Sequence, residues 1–298
     1  MTGVELDDTR AVAVRMDEAG VVQARAQVDA GGDLGSAAAR ALDQVRVSAA
    51  GSDEGLLGIA AINPGSTVVA QVVSQLALRF GGPFIKNGAV LSGLAAAAAE
   101  AWVGAARGVQ HVVFFAVGHH TTGGVVRDGL ATAGARGRAG SVAWLSLNPV
   151  EREDYRKIGC LEAEVAAAGI VRRLIWRIKA GDRSRVQDVV NGDLSAITVD
   201  RVLDAARAGD GVSISVVRDT AKYLGMAAAN LVVIADPEML VLGGIMASAA
   251  DLLIEPLRVE IARRLPKPMM DALRIETAML GADAAAIGAA RLVTAARP

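Results

Sequence analysis

The sequence predicts a duplicated α/β fold with a cleft between two lobes. Near residue 11 and again near residue 111, short apolar segments that read as antiparallel strands open a new half of the chain. Each half then continues with strand-like apolar runs separated by longer segments of helical spacing. With 298 residues, 52% of them apolar, the chain can build a core in each half. A ligand is expected in the cleft, where pockets between lobes usually lie.

The first half begins with a hairpin, because "AVAVRM" and "VVQARAQV" flank the turn-forming "DEAG". An alanine-rich helix to about Ala50 and the apolar strand "LLGIAAI" follow, and "NPGS" marks a break. Helical spacing predicts helices in "STVVAQVVSQLALRF" and in "SGLAAAAAEAWVGAARG", the second ending at its final glycine. The first lobe is therefore expected to span residues 1–110.

The second half opens with the buried strand "HVVFFAV" and its return strand "GGVVRDG", and the alternation in "SVAWLSL" predicts a third strand. Long helices follow, over residues 161–179, 199–208 and 212–234. Then come the strand "MLVLGG", a helix to about residue 264, the strand "LRIETAML" and the closing helix "DAAAIGAARLVTAAR". The second lobe is expected to span residues 111–283, and residues 284–298 to complete the first.

Composition excludes several classes of protein. A formal net charge of -1 gives no general attraction to nucleic acid or to anionic lipid. The single cysteine, Cys160, excludes an intrachain disulfide and a multi-cysteine zinc site, and it fits a reducing compartment. The first residues lack the features of a signal peptide, and the most apolar segment is interrupted at Asn230, Asp236 and Pro237. We expect a cytoplasmic protein without a membrane span.

Three blocks, "NLVVIADPEMLVLGG", "GGVVRDGLATAGARGRAG" and "GCLEA", resemble the ROK family of bacterial sugar kinases and related repressors. The resemblance covers nearly the whole chain. It implies the two-lobed, actin-like (ribonuclease H-like) ATPase fold with an interlobe cleft, a sugar ligand, ATP with Mg²⁺ as cofactor, and a homodimer. The repressors carry a helix-turn-helix ahead of the first strand, where this chain begins, so we expect no direct nucleic-acid binding.

The resemblance also implies nucleotide contacts, beginning with the glycine-rich turn "GHHTTGG". There Gly118, Gly123 and Gly124 are kept, and their backbone N–H groups would hold ATP phosphates. A diverged phosphate loop, a structural turn and a metal site remain open, although adjacent histidines rarely bind one ion. The pair Gly243 and Gly244 matches glycines near the nucleotide base, or forms a plain strand-to-helix turn.

The first phosphate loop of the family corresponds to "ELDDTR". Glu5, Thr9 and Arg10 match in kind, but Asp7 and Asp8 replace two glycines. A side chain obstructs the close approach of backbone to phosphate. Each carboxylate also repels a phosphate, by roughly 3 kcal/mol for unit charges about 5 Å apart at an effective dielectric of about 20. These substitutions argue against ATP binding.

In family kinases, as the resemblance implies, the general base is the aspartate of an Asn-Asp pair that begins nine residues before a helical glutamate. Counting back from Glu100, this position falls on Ser92, and a shifted register through "KNG" places Gly88 there instead. Neither residue is a carboxylate, and a serine is too weak a base at neutral pH. Loss of general-base help typically costs about 10² to 10⁴ in rate.

The sugar and zinc positions diverge as well. Ser141 replaces a sugar-binding glutamate and Trp144 replaces a histidine that serves sugar and zinc. Glu162 survives as a sugar-contacting carboxylate, or serves as a first-turn acid of its helix. Of the cysteine set only Cys160 remains, with Glu153 and Tyr155 at the other positions, so no zinc is expected. Cys160 then reads as a small buried hydrophobe.

Three hypotheses follow. The first, which we favour, is a kinase-fold protein that has lost phosphotransfer and binds a sugar-like ligand or regulates a partner. The second is an active ATP-dependent sugar kinase whose missing carboxylate comes from elsewhere, for example Asp128. The third is a scaffold without a small ligand. The helix "IVRRLIWRIKAGDRSR", whose arginines alternate with apolar residues, is interpreted as a solvated basic face.

Overall fold

The computed structural model describes residues 1–46, 56–80 and 88–295 and contains two five-stranded mixed sheets. The strands are β1 (Thr2–Leu6), β2 (Arg10–Met16), β3 (Val22–Asp29), β4 (Leu57–Ala61), β5 (Val90–Leu91), β6 (Val112–Val117), β7 (Thr121–Arg127), β8 (Leu130–Ala131), β9 (Met239–Gly244) and β10 (Arg274–Thr277). The helices are α1 (Leu34–Arg46), α2 (Thr67–Phe80), α3 (Ser92–Val103), α4 (Glu153–Ile158), α5 (Cys160–Val165), α6 (Ala167–Lys179), α7 (Arg185–Val189), α8 (Val199–Arg207), α9 (Gly211–Ala235), α10 (Ile245–Ser248), α11 (Ala250–Ala262), α12 (Lys267–Ala272) and α13 (Ala284–Ala295).

The two sheets repeat one topology. The first has the order β3-β2-β1-β4-β5 and the second the order β10-β9-β6-β7-β8. In each, three antiparallel strands connected by short turns lie beside two strands that run parallel to the first of them. The predicted duplication of an α/β unit is confirmed. Strand β1 lies ahead of the hairpin of β2 and β3, with which the sequence pattern predicts that the fold begins.

Helix α13 packs on the first sheet although it is the last element of the chain. It contacts β1, β4 and α3. The contact is so close that a Cβ atom on Gly58 would lie 3.0 Å from the backbone nitrogen of Ala290, and a Cβ on Gly288 would overlap the carbonyl of Ala95. Small residues therefore fill the contact between α13 and the first lobe. The packing supports our proposal that residues 284–298 complete the first lobe, 1–110, against a second lobe of 111–283.

Glu100 connects α3 to the segment before α13. Its side chain is fully buried, and its Oε1 accepts hydrogen bonds from the backbone N–H groups of Met279 and Leu280, each at 3.0 Å. Oε2 accepts from the N–H of Ala105 at 2.8 Å. A buried carboxylate with three backbone donors is well satisfied. Glu100 thus fixes the helix whose first residue is Ser92.

Several elements differ from the sequence-based expectation. The helix predicted over 161–179 is broken at Ala166, whose ψ of 162° is extended, so α5 and α6 are separate. "SVAWLSL" is not a strand; it contains a single 3₁₀ turn, Val142–Trp144, whose Val142 packs on Gly123. Helix α3 ends before Gly104 rather than at Gly108. The predicted helix end at Ala50 and most of "KNG" lie outside the described residues.

No helix in the described ranges combines the length and apolarity that a membrane crossing requires.

Candidate functional site

The turn between β1 and β2, residues 7–10 (the first turn), holds one of its own carboxylates where the resemblance places phosphate. Oδ1 of Asp7 accepts hydrogen bonds from both the N–H and the hydroxyl of Thr9, each at 3.0 Å. The backbone N–H groups of Asp7 and Arg10 bond each other's carbonyls across the turn. The side chain and N–H of Thr9, the residue matched to the family's threonine, are therefore already occupied.

The turn between β6 and β7, residues 118–120 (the second turn), faces the first turn through His120. Nε2 of His120 lies 3.2 Å from Oδ2 of Asp8, and Nδ1 lies 3.2 Å from Oε1 of Glu162. The other oxygen of Glu162 accepts the N–H of Thr121 at 2.8 Å. The imidazole thus joins two carboxylates, one in the first turn and one on α5. Glu162, expected to contact sugar, has both oxygens engaged by this turn.

This bridge gives His120 a raised pKa. The hydrogen bond to Glu162 is the main cause, burial opposes it, and the charges of Glu162, Asp8 and Asp7 add to it. A protonated imidazole donates from both nitrogens and so satisfies both carboxylates at once. Sequence reasoning named all of these residues but did not bring them together, since they are far apart along the chain.

Ser92, the residue at the expected base position, lies next to Glu5. Glu5 is on β1 in register with Ala60 of β4, whose partner on β5 is Val90, two residues before Ser92. Burial raises the pKa of Glu5 to about 7; the Ser92 hydroxyl opposes this, while the charge of Asp7 adds to it. Sequence reasoning assigned Glu5 only to the first phosphate loop. A carboxyl group therefore does lie beside the position where a carboxylate was judged missing.

The glycines assigned to nucleotide binding have structural reasons to be glycine. Gly123 and Gly124 lie within β7, not in the turn. A Cβ on Gly123 would lie 2.6 Å from Cγ1 of Val142, and one on Gly124 would overlap the carbonyl oxygen of Gly93. Of these glycines only Gly118 is in the second turn, where its N–H bonds the carbonyl of His120. Close packing against β7, by Val142 at Gly123 and by α3 at Gly124, explains the pair.

Gly243 and Gly244 end β9. A Cβ on Gly243 would lie 2.9 Å from that of Ala116, so this position is packed against β6. Gly244 has φ of 62° and caps α10, and a Cβ there would overlap the carbonyl oxygen of Val117. Left-handed backbone and tight packing both favour glycine. The strand-to-helix turn is thus sufficient to explain these two residues.

Ion pairs stabilise the region where the resemblance places the family's zinc ligands. Ser141 is exposed and its hydroxyl donates to the carbonyl of Arg138, while Trp144 is also exposed. Buried Glu164 accepts from the Tyr155 hydroxyl, from Arg152 at 2.9 Å and from Arg173 at 3.1 Å. Cys160 is buried as expected. Among the described residues no group of three His, Cys, Asp or Glu could hold a metal ion, and the absence of zinc stays a prediction.

Two interpretations need correction. Two arginines of α6 are not part of a solvated face, because Arg173 is only 13% exposed and binds Glu164 and Thr220, and Arg172 pairs with Asp154. Arg177 and Lys179 of the same helix are exposed, as expected. Asp128 cannot replace the missing base. It lies in the turn after β7, at the opposite end of this strand from the second turn, where it is exposed with φ of 51°.

Comparison with known proteins agrees with this architecture. The model of the ROK family matches residues 62–296. The glucokinase of Halalkalibacterium halodurans is 33% identical over 202 residues, 66% of this chain and 60% of that protein. The xylose repressor of Caldicellulosiruptor bescii is 30% identical over 205 residues, 67% of this chain and 50% of the repressor. The matched segment thus spans only about half to three fifths of these curated relatives.

Among solved structures, a ROK family glucokinase from Streptomyces griseus in complex with glucose and AMPPNP has a TM-score of 0.80 and 22% identity. The match covers 98% of each chain. This similarity confirms the predicted actin-like, two-lobed fold.

Proposed function

Because the chain belongs to the ROK family, we propose that it is a sugar-kinase-like protein that binds a sugar-like ligand in its cleft but has lost phosphotransfer from ATP. The relatives of this chain include both kinases and repressors, so family membership alone does not decide whether it transfers phosphate. A fold shared with kinases does not by itself imply kinase activity.

One observation carries this proposal: at the first turn and at the start of β7, directly after the second turn, carboxylates of the protein itself occupy hydrogen-bond donors. Asp7 accepts hydrogen bonds from the N–H and the hydroxyl of Thr9, and Glu162 accepts one from the N–H of Thr121. Phosphates bound by such turns need these N–H groups free and a local positive potential. Here a phosphate would have to displace a carboxylate and also approach Asp8. The residues present therefore do not fit ATP phosphates.

A thermal-shift and calorimetry screen tests the proposal. Sugars such as glucose, mannose, N-acetylglucosamine and sucrose are each titrated alone, and Mg²⁺–ATP is titrated separately. We expect at least one sugar to bind and raise the melting temperature, and Mg²⁺–ATP to have no effect at millimolar concentration. Tight Mg²⁺–ATP binding would contradict lost phosphotransfer, and the absence of any sugar shift would favour a scaffold.

An active sugar kinase is the second candidate, and the position of Glu5 favours it. A general base works best when its pKa lies near the operating pH, and the pKa of Glu5 is raised to about 7. Glu5 next to Ser92 could accept the proton of a sugar hydroxyl. This candidate function lacks a binding site that fits the phosphates of the nucleotide.

A homodimer in the cytoplasm remains part of the proposal by family resemblance. Sedimentation of a monomer at micromolar concentration would remove the dimer from it.

A further inference from the structure

Glu5 lies near the carboxyl end of β1, and Ser92 directly follows the carboxyl end of β5 in the same sheet. Strands β1, β4 and β5 run parallel in the order β1-β4-β5, and α3 begins at Ser92 directly after β5. The residue between them in the sheet is Ala60, whose side chain is a single methyl group. The carboxyl ends of parallel strands are where open α/β sheets bind ligands. Both side chains are thus at an edge where a ligand is expected.

The Ser92 hydroxyl is not satisfied in the way that buried polar groups usually are. Ser92 is 3% exposed, and within the described part of the chain its Oγ has no hydrogen-bond partner of normal geometry. Glu5 is 8% exposed. The charged groups acting on it are Asp7 and Asp283, which raise its pKa, and Arg10, which lowers it. Orphaned buried polar groups cost free energy and call for an explanation such as a ligand.

We propose that Glu5 and Ser92 form a subsite for one alcohol hydroxyl of a neutral polyhydroxylated ligand, with the Glu5 carboxylate accepting the hydroxyl hydrogen and Ser92 donating to its oxygen. This inference rests on the proposed sugar-binding function and adds which residues receive the ligand and what charge it carries.

The surrounding charge defines the ligand further. Asp7 and Asp283 act on Glu5 against the cation Arg10, and Asp8, the neighbour of Asp7, is paired with His120. Of these, Asp283 is already paired with Arg25 at 2.7 Å. A phosphate or carboxylate on the hydroxyl would meet like charges. Neutral sugars are therefore expected to bind, whereas the corresponding sugar phosphates and sugar acids are excluded.

A swap of the carboxylate between the two positions provides the test. Glucose, with glucose 6-phosphate as its charged counterpart, is titrated calorimetrically into the wild type, E5A, E5A/S92D and the control E276Q, whose glutamate is exposed on β10. We expect glucose affinity to fall at least tenfold in E5A, to recover to within about fivefold in E5A/S92D, and to be unchanged in E276Q. Glucose 6-phosphate should bind the wild type at least tenfold more weakly than glucose.

A pH series on folded wild type avoids dependence on the variants' stability. Glucose affinity should rise from pH 6 to pH 8 as Glu5 ionises, and this dependence should be absent in the isosteric E5Q, which leaves His120 intact. Unchanged affinity in E5A, or an unchanged pH profile in E5Q, would overturn the subsite while leaving sugar binding in place. If neither glucose nor any sugar of the wider screen binds the wild type, the proposed function fails and the subsite fails with it.

Discussion

Replacing both aspartates of the first turn by glycine, D7G/D8G, should create nucleotide affinity. Asp7 is 8% exposed, so its charge about 5 Å from a phosphate costs roughly 3 kcal/mol at an effective dielectric of about 20. The side chain of Asp8 is 73% exposed, and solvent screening reduces its share to about 1 kcal/mol. Together these effects correspond to roughly a thousandfold in dissociation constant. The change also frees the N–H and hydroxyl of Thr9.

Isothermal titration with Mg²⁺–ATP measures this gain. The wild type should show no binding at millimolar nucleotide, and D7G/D8G should bind in the micromolar range. The control E18Q/D29N removes two exposed carboxylates, one from the turn between β2 and β3 and one from the end of β3, and should behave as the wild type. If the wild type binds micromolar ATP, or if the control gains as much as D7G/D8G, the carboxylates of the first turn do not exclude the nucleotide.

Three further predictions concern stability, each measured by urea unfolding. E100Q should lower the free energy of unfolding by about 3 kcal/mol, because one amide group cannot accept all three backbone N–H donors that Glu100 satisfies. His120 has a folded-state pKa above its unfolded value, so its stabilisation is complete below about pH 6.5 and is lost as the pH rises through the folded pKa. H120Q should therefore be destabilised more at pH 6 than at pH 8, unlike the exposed control H119Q. Burial raises the pKa of Glu5 from 4.5 to about 7, so the wild type loses stability over that pH window, and E5Q should be more stable than the wild type by up to about 3 kcal/mol at pH 8 but not at pH 4.5.

Each of these has a contrary outcome. Equal stability of E100Q and the wild type would show that the buried carboxylate is dispensable. An H120Q difference that grows with pH would mean that the bridge is made by the neutral imidazole. A stability difference between E5Q and the wild type that does not change with pH would mean that Glu5 is ionised normally.

Local pattern was enough to predict most elements of the fold. The continuous apolar run before Gly118 and the glycine-ended strand at Gly244 were both found where the sequence places them. The alternation around Trp144 misled, because Val142 points at Gly123 while Trp144 is exposed on a 3₁₀ turn, and period-two alternation does not require a strand. Helical periodicity in the sequence also continues across Ala166, although the extended backbone of this residue separates α5 from α6.

The site was less predictable, since its chemistry depends on contacts between distant segments. Family resemblance singles out Ser92, Asp8 and Glu162 along the chain, but it does not indicate that the imidazole of His120 lies between the carboxylates of Asp8 and Glu162. The sequence predicts a missing general base because position 92 is a serine. The first sheet, however, places Glu5 of β1 beside this serine. A carboxylate supplied by a segment far away in the sequence leaves no signal in local spacing.

The central claim is that the cleft binds a sugar without transferring phosphate to it. Sugar-dependent ADP release by purified protein, with Mg²⁺–ATP and a panel of hexoses and N-acetylhexosamines, tests it most directly. We predict no release above the sugar-free control. Turnover at about 1 to 100 per second, the ordinary range for kinases, would contradict it and would make Glu5 the first residue to examine as the base.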